Sequence, residues 1–119
     1  MNAEETVLLV DDEERLLDNL RRQLHGKFET VTAVGGERAL EKLQKDSEIA
    51  VIICDMDMPG MTGIEVLEAF SKKSPATTRI MLTENADQNF AIEAINKSHV
   101  FGFLKKPCST GSLIEGIES

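Results

Sequence analysis

The chain has 119 residues, of which 41% are hydrophobic and 29% are charged, and its formal net charge is −8. This composition is typical of one globular domain, and no apolar run approaches the roughly 18 residues that a transmembrane helix needs. The negative charge argues against binding of nucleic acid or of an anionic membrane by this domain, because contacts with phosphate groups require a basic patch.

The N-terminal sequence MNAEETVLLVDDEE lacks the basic region and the small-residue cleavage site of a signal peptide. The two cysteines, Cys54 and Cys108, form no CxxC pair, so neither a disulfide framework nor a thiolate metal site is indicated. We therefore expect a cytoplasmic protein with both thiols free.

Five apolar segments rich in β-branched residues predict five strands. These segments begin at Thr6, Glu29, Ile49, Arg79 and Val100. Segments with the apolar spacing of amphipathic helices lie between them. The alternation predicts a parallel sheet covered by helices on both faces.

The helical segments each carry an apolar stripe. In chain order the stripes are Leu16, Leu17, Leu20 and Leu24; Ala39, Leu40 and Leu43; Val66, Leu67 and Phe70; Phe90, Ala91, Ala94 and Ile95; and Leu113, Ile114 and Ile117. The sequence stops at Ser119, about two turns into the fifth predicted helix, whereas a typical helix has ~11 residues. We therefore expect residues 1–119 to be one domain of a longer protein that has a separate output domain.

Polar side chains follow four of the predicted strands. They are Asp11 and Asp12 after the first, Asp55 after the third, Thr83 after the fourth, and Lys105 and Lys106 after the fifth. In open α/β sheets, ligands bind at the carboxyl ends of the strands, at the point where the strand order reverses. In the common order 2-1-3-4-5 this point lies between the first and third strands, which are the two that end in aspartate.

Three carboxylates at one point of the sheet repel each other. Two unit charges 5 Å apart repel by roughly 3 kcal/mol at an effective dielectric constant near 20. Either one carboxyl group is protonated or a cation lies among them, and hard oxygen ligands favour Mg²⁺. With a hydroxyl and a lysine nearby, the arrangement suits transfer of a phosphoryl group to an aspartate.

Each of these residues also has a simpler structural interpretation. Asp12 can cap the first helix, Asp55 can form an Asx turn before Pro59, Thr83 can cap the fourth helix, and Lys106 can be a solvated lysine. Their occurrence together at one edge of the sheet favours the functional interpretation.

Four motifs occur in order along the chain. They are LLVDDE at residues 8–13, ICDMDMPGMTG at 53–63, IMLTEN at 80–85 and FLKKP at 103–107. With these motifs the whole chain resembles the receiver domain of bacterial two-component response regulators. The resemblance implies a flavodoxin-like, doubly wound (βα)5 fold whose parallel five-stranded sheet has the order 2-1-3-4-5.

The resemblance also implies roles for individual residues. Asp55 would accept a phosphoryl group from a phosphohistidine on a sensor histidine kinase or a phosphotransfer protein. Asp12 would bind Mg²⁺ directly, Asp11 largely through water, and Asp57 through its backbone carbonyl. Lys106 would pair with the phosphoryl group, and Lys105 would play no part.

Thr83 and Phe103 match the family's switch pair. On phosphorylation, the Thr83 hydroxyl would move toward the phosphoryl oxygen and the Phe103 ring would rotate into the space it leaves. The surface formed by the fourth predicted helix, the fifth strand and the fifth predicted helix would change shape and control an output domain or effector. The family also implies possible dimerisation through this surface, and a signalling switch rather than a turnover enzyme.

One position departs from the family pattern. Glu84 stands where the family usually has a small residue, and its carboxylate would obstruct an incoming phosphoryl group and slow the transfer. Asp57 and Asn85 occupy positions that tune hydrolysis of the aspartyl phosphate, with a net direction left open. Residues 82–107 also resemble receivers that precede HD-type cyclic-dinucleotide phosphodiesterase domains.

Two other functions fit part of the pattern. Asp55-Met56-Asp57 satisfies the Asp-x-Asp motif of a phosphatase resembling the haloacid dehalogenases, but that motif normally lies on the first strand, and the Asp11-Asp12 pair would remain unexplained. The second alternative is a receiver-like interaction module that takes no phosphate, supported by Glu84 alone.

Overall fold

The computed structural model describes residues 6–45, 49–56, 58–84, 100, 102–106 and 110–118. In chain order the elements are β1 (Thr6–Asp11), α1 (Glu14–Leu24), β2 (Glu29–Val34), α2 (Gly36–Lys45), β3 (Ile49–Asp55), α3 (Gly63–Lys73), β4 (Thr78–Thr83), β5 (Gly102–Lys105) and α4 (Thr110–Glu118). The label α4 denotes the fifth predicted helix, because the fourth predicted helix, at residues 90–95, lies outside the described residues.

The strands form one parallel sheet with the order β2-β1-β3-β4-β5. This order confirms the prediction, and the reversal point lies between β1 and β3. β1 and β3 are almost wholly buried, which explains their continuous apolar sequences, since strands covered on both faces show no polar alternation.

Helices cover both faces of the sheet. On one face, α2 and α3 contribute Ala39, Leu43, Val66, Leu67 and Phe70 to a core cluster. On the other face, the cluster contains apolar residues of α1 and α4, namely Leu17, Leu20, Leu24, Leu113 and Ile117. Along β1 and β4, successive apolar side chains belong to opposite clusters, as the pleat requires. Among the residues described, no helix is both long and apolar enough to cross a bilayer.

The fifth strand differs from its predicted start. Val100 is buried in the core, but pairing with β4 begins only at Gly102, opposite Ile80. Val100 therefore contributes packing without joining the hydrogen-bonded ladder. The other predicted strands agree with the structure to within one residue at each start. Cys54 is a buried free thiol within β3, as predicted, while Cys108 lies outside the described residues.

Candidate functional site

Three aspartates meet at the carboxyl edge of the two central strands. Asp11 ends β1, Asp12 follows it, and Asp55 ends β3. One carboxylate oxygen from each lies within 4.8 Å of those of the other two. Asp11 and Asp55 are 0% and 5% exposed, whereas Asp12 is exposed to solvent. The sequence-predicted cluster is thus assembled, with one open side.

Lys106 enters this cluster from the end of β5. Its Nζ lies 3.0 Å from Asp11 Oδ2 and 2.9 Å from Asp55 Oδ1, and its side chain is only 12% exposed. Its backbone N–H donates to the Thr83 carbonyl at 2.8 Å, which anchors it to the end of β4. The sequence predicts that a proton or a cation compensates the charge of the carboxylates, and in the structure Lys106 already compensates part of it.

The backbone fixes the position of Asp11. Its Oδ1 accepts a hydrogen bond from the Glu13 N–H at 2.9 Å, and its carbonyl accepts one from the Gly35 N–H at 3.0 Å. Gly35 has a φ of 90°, a conformation that favours glycine. The interpretation of Asp12 as a helix cap is wrong, because the N-cap residue of α1 is Glu13 and no side chain caps it.

Electrostatics inside the cluster shift three pKa values. Burial, together with the negative charge of Asp11, raises the pKa of Asp55, although the hydrogen bond from Lys106 opposes the rise. Partial burial and the neighbouring Asp11 also raise the pKa of Asp12. Burial alone would lower the pKa of Lys106, but its bonds to Asp55 and Asp11 outweigh burial and raise it. The carboxyl groups of Asp55 and Asp12 therefore hold protons more tightly than in water, and a further cation would favour their ionised forms.

Gly63 brings the start of α3 directly against Asp55. A Cβ atom built on Gly63 would overlap the Asp55 carbonyl oxygen and lie 3.0 Å from the Met56 Cα. The Gly63 N–H donates to the Met56 carbonyl at 3.1 Å, so the loop after β3 closes tightly on the helix. From the sequence alone, no role of its own is assigned to Gly63. The signal that could have found it is a glycine, a poor helix former, just before the apolar stripe of the third predicted helix.

A capping box begins α3 next to Gly63. The Thr62 hydroxyl accepts from the Glu65 N–H at 3.3 Å, and Glu65 Oε1 accepts from the Thr62 N–H at 2.9 Å. These two bonds satisfy N–H groups that the first turn of a helix leaves without partners. The capping box therefore fixes the first turn of α3, in which Gly63 packs against the Asp55 backbone.

The structure describes three of the remaining predicted residues, Thr83, Glu84 and Phe103. Thr83 ends β4 at the same edge and is 5% exposed. Glu84 is exposed and lines a cleft of about 510 Å³ together with Glu13 and Lys106. Phe103 is partly buried and lies opposite Met81 in the ladder. Asp57 and Asn85 lie outside the described residues.

Comparison with known proteins identifies the family. Residues 7–118 match the family model of the response regulator receiver domain. The chain belongs to the response regulator receiver domain family. The receiver is 34% identical over 112 residues to the hydrogenase transcriptional regulatory protein HoxA of Cupriavidus necator, an alignment that covers 94% of this chain and 23% of that protein.

Solved structures show the same fold. The receiver superposes with a TM-score of 0.89 on a structure described as adenylate cyclase from Rhodopirellula baltica, at 42% identity over 97% of this chain and 85% of that one. The signal receiver domain of an HD domain-containing protein from Pseudomonas fluorescens gives 0.90 at 28% identity, over 97% and 92% of the two chains. These likenesses confirm the predicted flavodoxin-like fold and the two-component family.

The receiver covers only a small part of its curated relatives. It spans 23% of the HoxA of Cupriavidus necator and 24% of the HoxA of Bradyrhizobium diazoefficiens. The names of the relatives and structures include transcriptional regulators, an adenylate cyclase and an HD domain-containing protein. The family therefore identifies a signalling domain of two-component systems and leaves the output open.

Proposed function

We propose that the receiver is a phosphorylation-dependent switch in which Asp55 accepts a phosphoryl group. The observation that carries this proposal is the position of Lys106, whose Nζ contacts both Asp55 and Asp11 inside the acid cluster. A cation held at 2.9 Å from the Asp55 carboxylate is suitably placed to stabilise a phosphoryl group on that carboxylate. A structural salt bridge would not require two further acids at the same point.

The chemistry follows from this arrangement. An oxygen of Asp55 attacks the phosphorus of a phosphohistidine on the donor, the phosphorus–nitrogen bond breaks, and the imidazole leaves with the electron pair of that bond. The attacking oxygen must be ionised, and the cation of Lys106 favours this form against the effect of burial. As negative charge moves onto the phosphoryl oxygens, Lys106 lies close enough to neutralise part of it.

Mg²⁺ is the cofactor that this site fits. The three carboxylates supply hard oxygen atoms within 4.8 Å of one another, and the exposed side of Asp12 leaves room for water. Asp11, Asp12, Asp55 and the backbone carbonyl of Asp57 would hold the ion. When bound, it would neutralise charge on the phosphoryl oxygens.

Thr83 and Phe103 are proposed to convert phosphorylation into a change of shape. Thr83 ends β4 next to the site, and Phe103 lies on the adjacent edge strand, β5. Movement of the Thr83 hydroxyl toward a phosphoryl oxygen would leave space for the Phe103 ring. The surface that includes β5 and α4 would then favour a different partner in each state.

Three residues are proposed to tune the rate. Glu84 shares a cleft with Lys106, so its carboxylate would repel an anionic donor at the mouth of the site. Asp57 and Asn85 would affect hydrolysis of the aspartyl phosphate.

The partners follow from the family. We infer that the donor is a sensor histidine kinase or a phosphotransfer protein, and that residues 1–119 act as the receiver domain of a longer protein. A C-terminal output domain or a separate effector would read the surface containing β5 and α4, through which two receivers could also pair. The HD-type output remains one hypothesis beside a transcriptional or a cyclase output.

The test is direct phosphorylation of the receiver. We expect Mg²⁺ with acetyl phosphate to add one phosphoryl group, seen by intact mass, and Asp55→Asn to abolish this addition. Beryllofluoride should shift the amide resonances of the site in the parent protein and not in Asp55→Asn. Lack of modification under both conditions would refute the proposal.

The exposed carboxylate of Glu84 beside Lys106 favours one alternative, an interaction module that takes no phosphate. Such a module would show no mass change with the parent protein or with Glu84→Gly. A phosphatase would instead release phosphate continuously from a generic phosphoester, which we do not expect.

A further inference from the structure

The free edge of β2 forms a groove on the side of the molecule away from β5. β2 pairs with β1 and has no neighbour among the described strands on its other side. The groove has a volume of about 540 Å³ and runs between α1 and α2, with Thr32 and Val34 of β2 in its floor. Val34 is 38% exposed, an unusual exposure for a large hydrophobic residue in this receiver.

Three residues of this edge direct their backbone groups away from β1. The Gly35 N–H donates to the Asp11 carbonyl, so this side of the Gly35 backbone points toward β1. Because backbone groups alternate along a strand, the N–H and C=O groups of Thr30, Thr32 and Val34 point outward. An edge of this kind accepts an added strand unless charges or another element block it.

A row of cations flanks the groove. Arg38, Lys42 and Lys45 lie on α2 at spacings of four and three residues, which places them on one side of the helix, and all three line the groove. Within the described part of the chain, none of them forms an ion pair. Three cations in a row without an ion pair among the described residues are unexpected on a chain whose net charge is −8.

We propose that the β2 edge binds an extended acidic segment of a partner protein by strand addition. Alternate residues of an added strand point to the same face about 7 Å apart. Along the helix axis, Arg38 and Lys42 are about 6 Å apart, and Lys42 and Lys45 are about 4.5 Å apart. Their long, flexible side chains can bridge the difference and reach acidic side chains at alternate positions of the added strand. Glu14 and Glu41 also line the groove and would repel an acidic segment in any position that does not place its acids next to the cations.

A second copy of the receiver fits this edge poorly. Twofold pairing of two β2 strands would be antiparallel and would bring α2 next to α2 of the other copy. The row of Arg38, Lys42 and Lys45 would then face the same row, and like charges repel. A partner segment that carries Asp or Glu at every second position removes this conflict.

The test uses three capped peptides with one β-branched pattern: the acidic VDTEVDTE, the neutral VNTQVNTQ and the basic VKTKVKTK. Binding to the ¹⁵N-labelled receiver is followed by fluorescence anisotropy and by amide shifts. We expect the acidic peptide to bind most tightly, to shift and protect the amides of Thr30, Thr32 and Val34, and to weaken as salt is added.

Charge reversal provides the control. Arg38→Glu, Lys42→Glu and Lys45→Glu together should weaken the acidic peptide by about tenfold or more and strengthen the basic one. The matched triple variant on exposed residues of α3 and β5, Lys72→Glu, Lys73→Glu and Lys105→Glu, makes a similar change in net charge away from β2 and should leave the β2 site largely intact.

A second variant removes a backbone donor. Thr32→Pro deletes an outward N–H on an edge strand, where proline is tolerated, and should abolish binding of the acidic and neutral peptides. Absence of saturable binding by the acidic peptide, equal losses in both triple variants, or amide shifts away from β2 would overturn the proposal. Concentration-dependent dimerisation that Thr32→Pro abolishes would show a second copy as the occupant and would equally refute it.

Discussion

Removal of the Lys106 charge tests how the acid cluster is held together. In Lys106→Met the aliphatic stem remains, but Nζ, which lies 2.9 Å from Asp55 Oδ1 and 3.0 Å from Asp11 Oδ2, is lost. Asp11 and Asp55 are 0% and 5% exposed, so both carboxylates would stay buried without this cation. Removing one partner of a buried ion pair costs roughly 3–5 kcal/mol. We expect a loss of about 3 kcal/mol in the free energy of unfolding, at the low end because Asp12 leaves one side open to solvent.

The loss depends on pH with a definite sign. The pKa of Asp55 is already raised by burial, and loss of Lys106 raises it further. When the pKa of a carboxyl group is higher in the folded than in the unfolded protein, the free energy of unfolding falls as the pH rises from the unfolded pKa, here 3.8, through the folded pKa. Lys106, whose own pKa is raised above 10.5 by Asp55 and Asp11, stabilises the fold below 10.5 as long as those carboxylates are ionised, and it loses this effect as the pH rises through its folded value. The variant should therefore differ least from the parent below about pH 4 and most near neutral pH.

Urea unfolding followed by circular dichroism measures this difference, in EDTA, at about pH 4 and about pH 7.5. Lys105→Met is the matched control, since Lys105 is exposed and adjacent in sequence, and it should change stability by less than about 0.5 kcal/mol. Adding Asp55→Asn to Lys106→Met should recover part of the loss, because Asp55→Asn removes one uncompensated charge. A loss at neutral pH no larger than that of Lys105→Met, or an equal loss at both pH values, would refute the reasoning.

Three further changes probe the site. Gly63→Ala should lower the free energy of unfolding in urea by about 1–3 kcal/mol and slow modification by acetyl phosphate, because the added Cβ would overlap the Asp55 carbonyl. The control is Gly111→Ala in α4, where nothing lies within 4 Å of the added Cβ, and it should not lower stability. Asp12→Asn should weaken Mg²⁺ binding at least about tenfold by calorimetry, since it removes one carboxylate of the cluster; unchanged affinity would exclude Asp12 as a ligand. Glu84→Gly should speed modification by acetyl phosphate. The control Glu29→Gly changes an exposed carboxylate at the opposite, amino edge of the sheet and should leave the rate unchanged. Equal rates for both variants would remove Glu84 from the mechanism.

Much of the fold follows from local patterns. The continuous apolar sequences of β1 and β3 indicate strands buried on both faces, and their position in the centre of the sheet agrees with this. The edge at which Asp11, Asp12 and Asp55 meet follows from the same pattern, because carboxyl ends of parallel strands lie together. The strand order itself rested on the common arrangement of such folds and on family resemblance.

The contacts inside the site could not be predicted in the same way. Lys106 reaches Asp11 across 95 positions of sequence, and no local pattern indicates that one Nζ contacts two carboxylates. The overlap between a Cβ on Gly63 and the Asp55 carbonyl depends on how closely α3 packs over the end of β3. Both are properties of long-range packing, in which shifts of less than 1 Å decide whether a contact exists.

The charge of the cluster links the site to the rest of the fold. Three carboxylates and one ammonium group leave a formal charge of −2 when all are ionised, which a divalent cation would balance. Under the proposed phosphorylation, Asp55 becomes an acyl phosphate, so the ion pair between its carboxylate and Lys106 is lost and the phosphoryl oxygens become the nearest anionic partners. Because the Lys106 N–H is bonded to the Thr83 carbonyl at 2.8 Å, any shift of Lys106 also acts on the end of β4. This bond gives a physical route from a charge change at Asp55 to the two strands, β4 and β5, that carry Thr83 and Phe103.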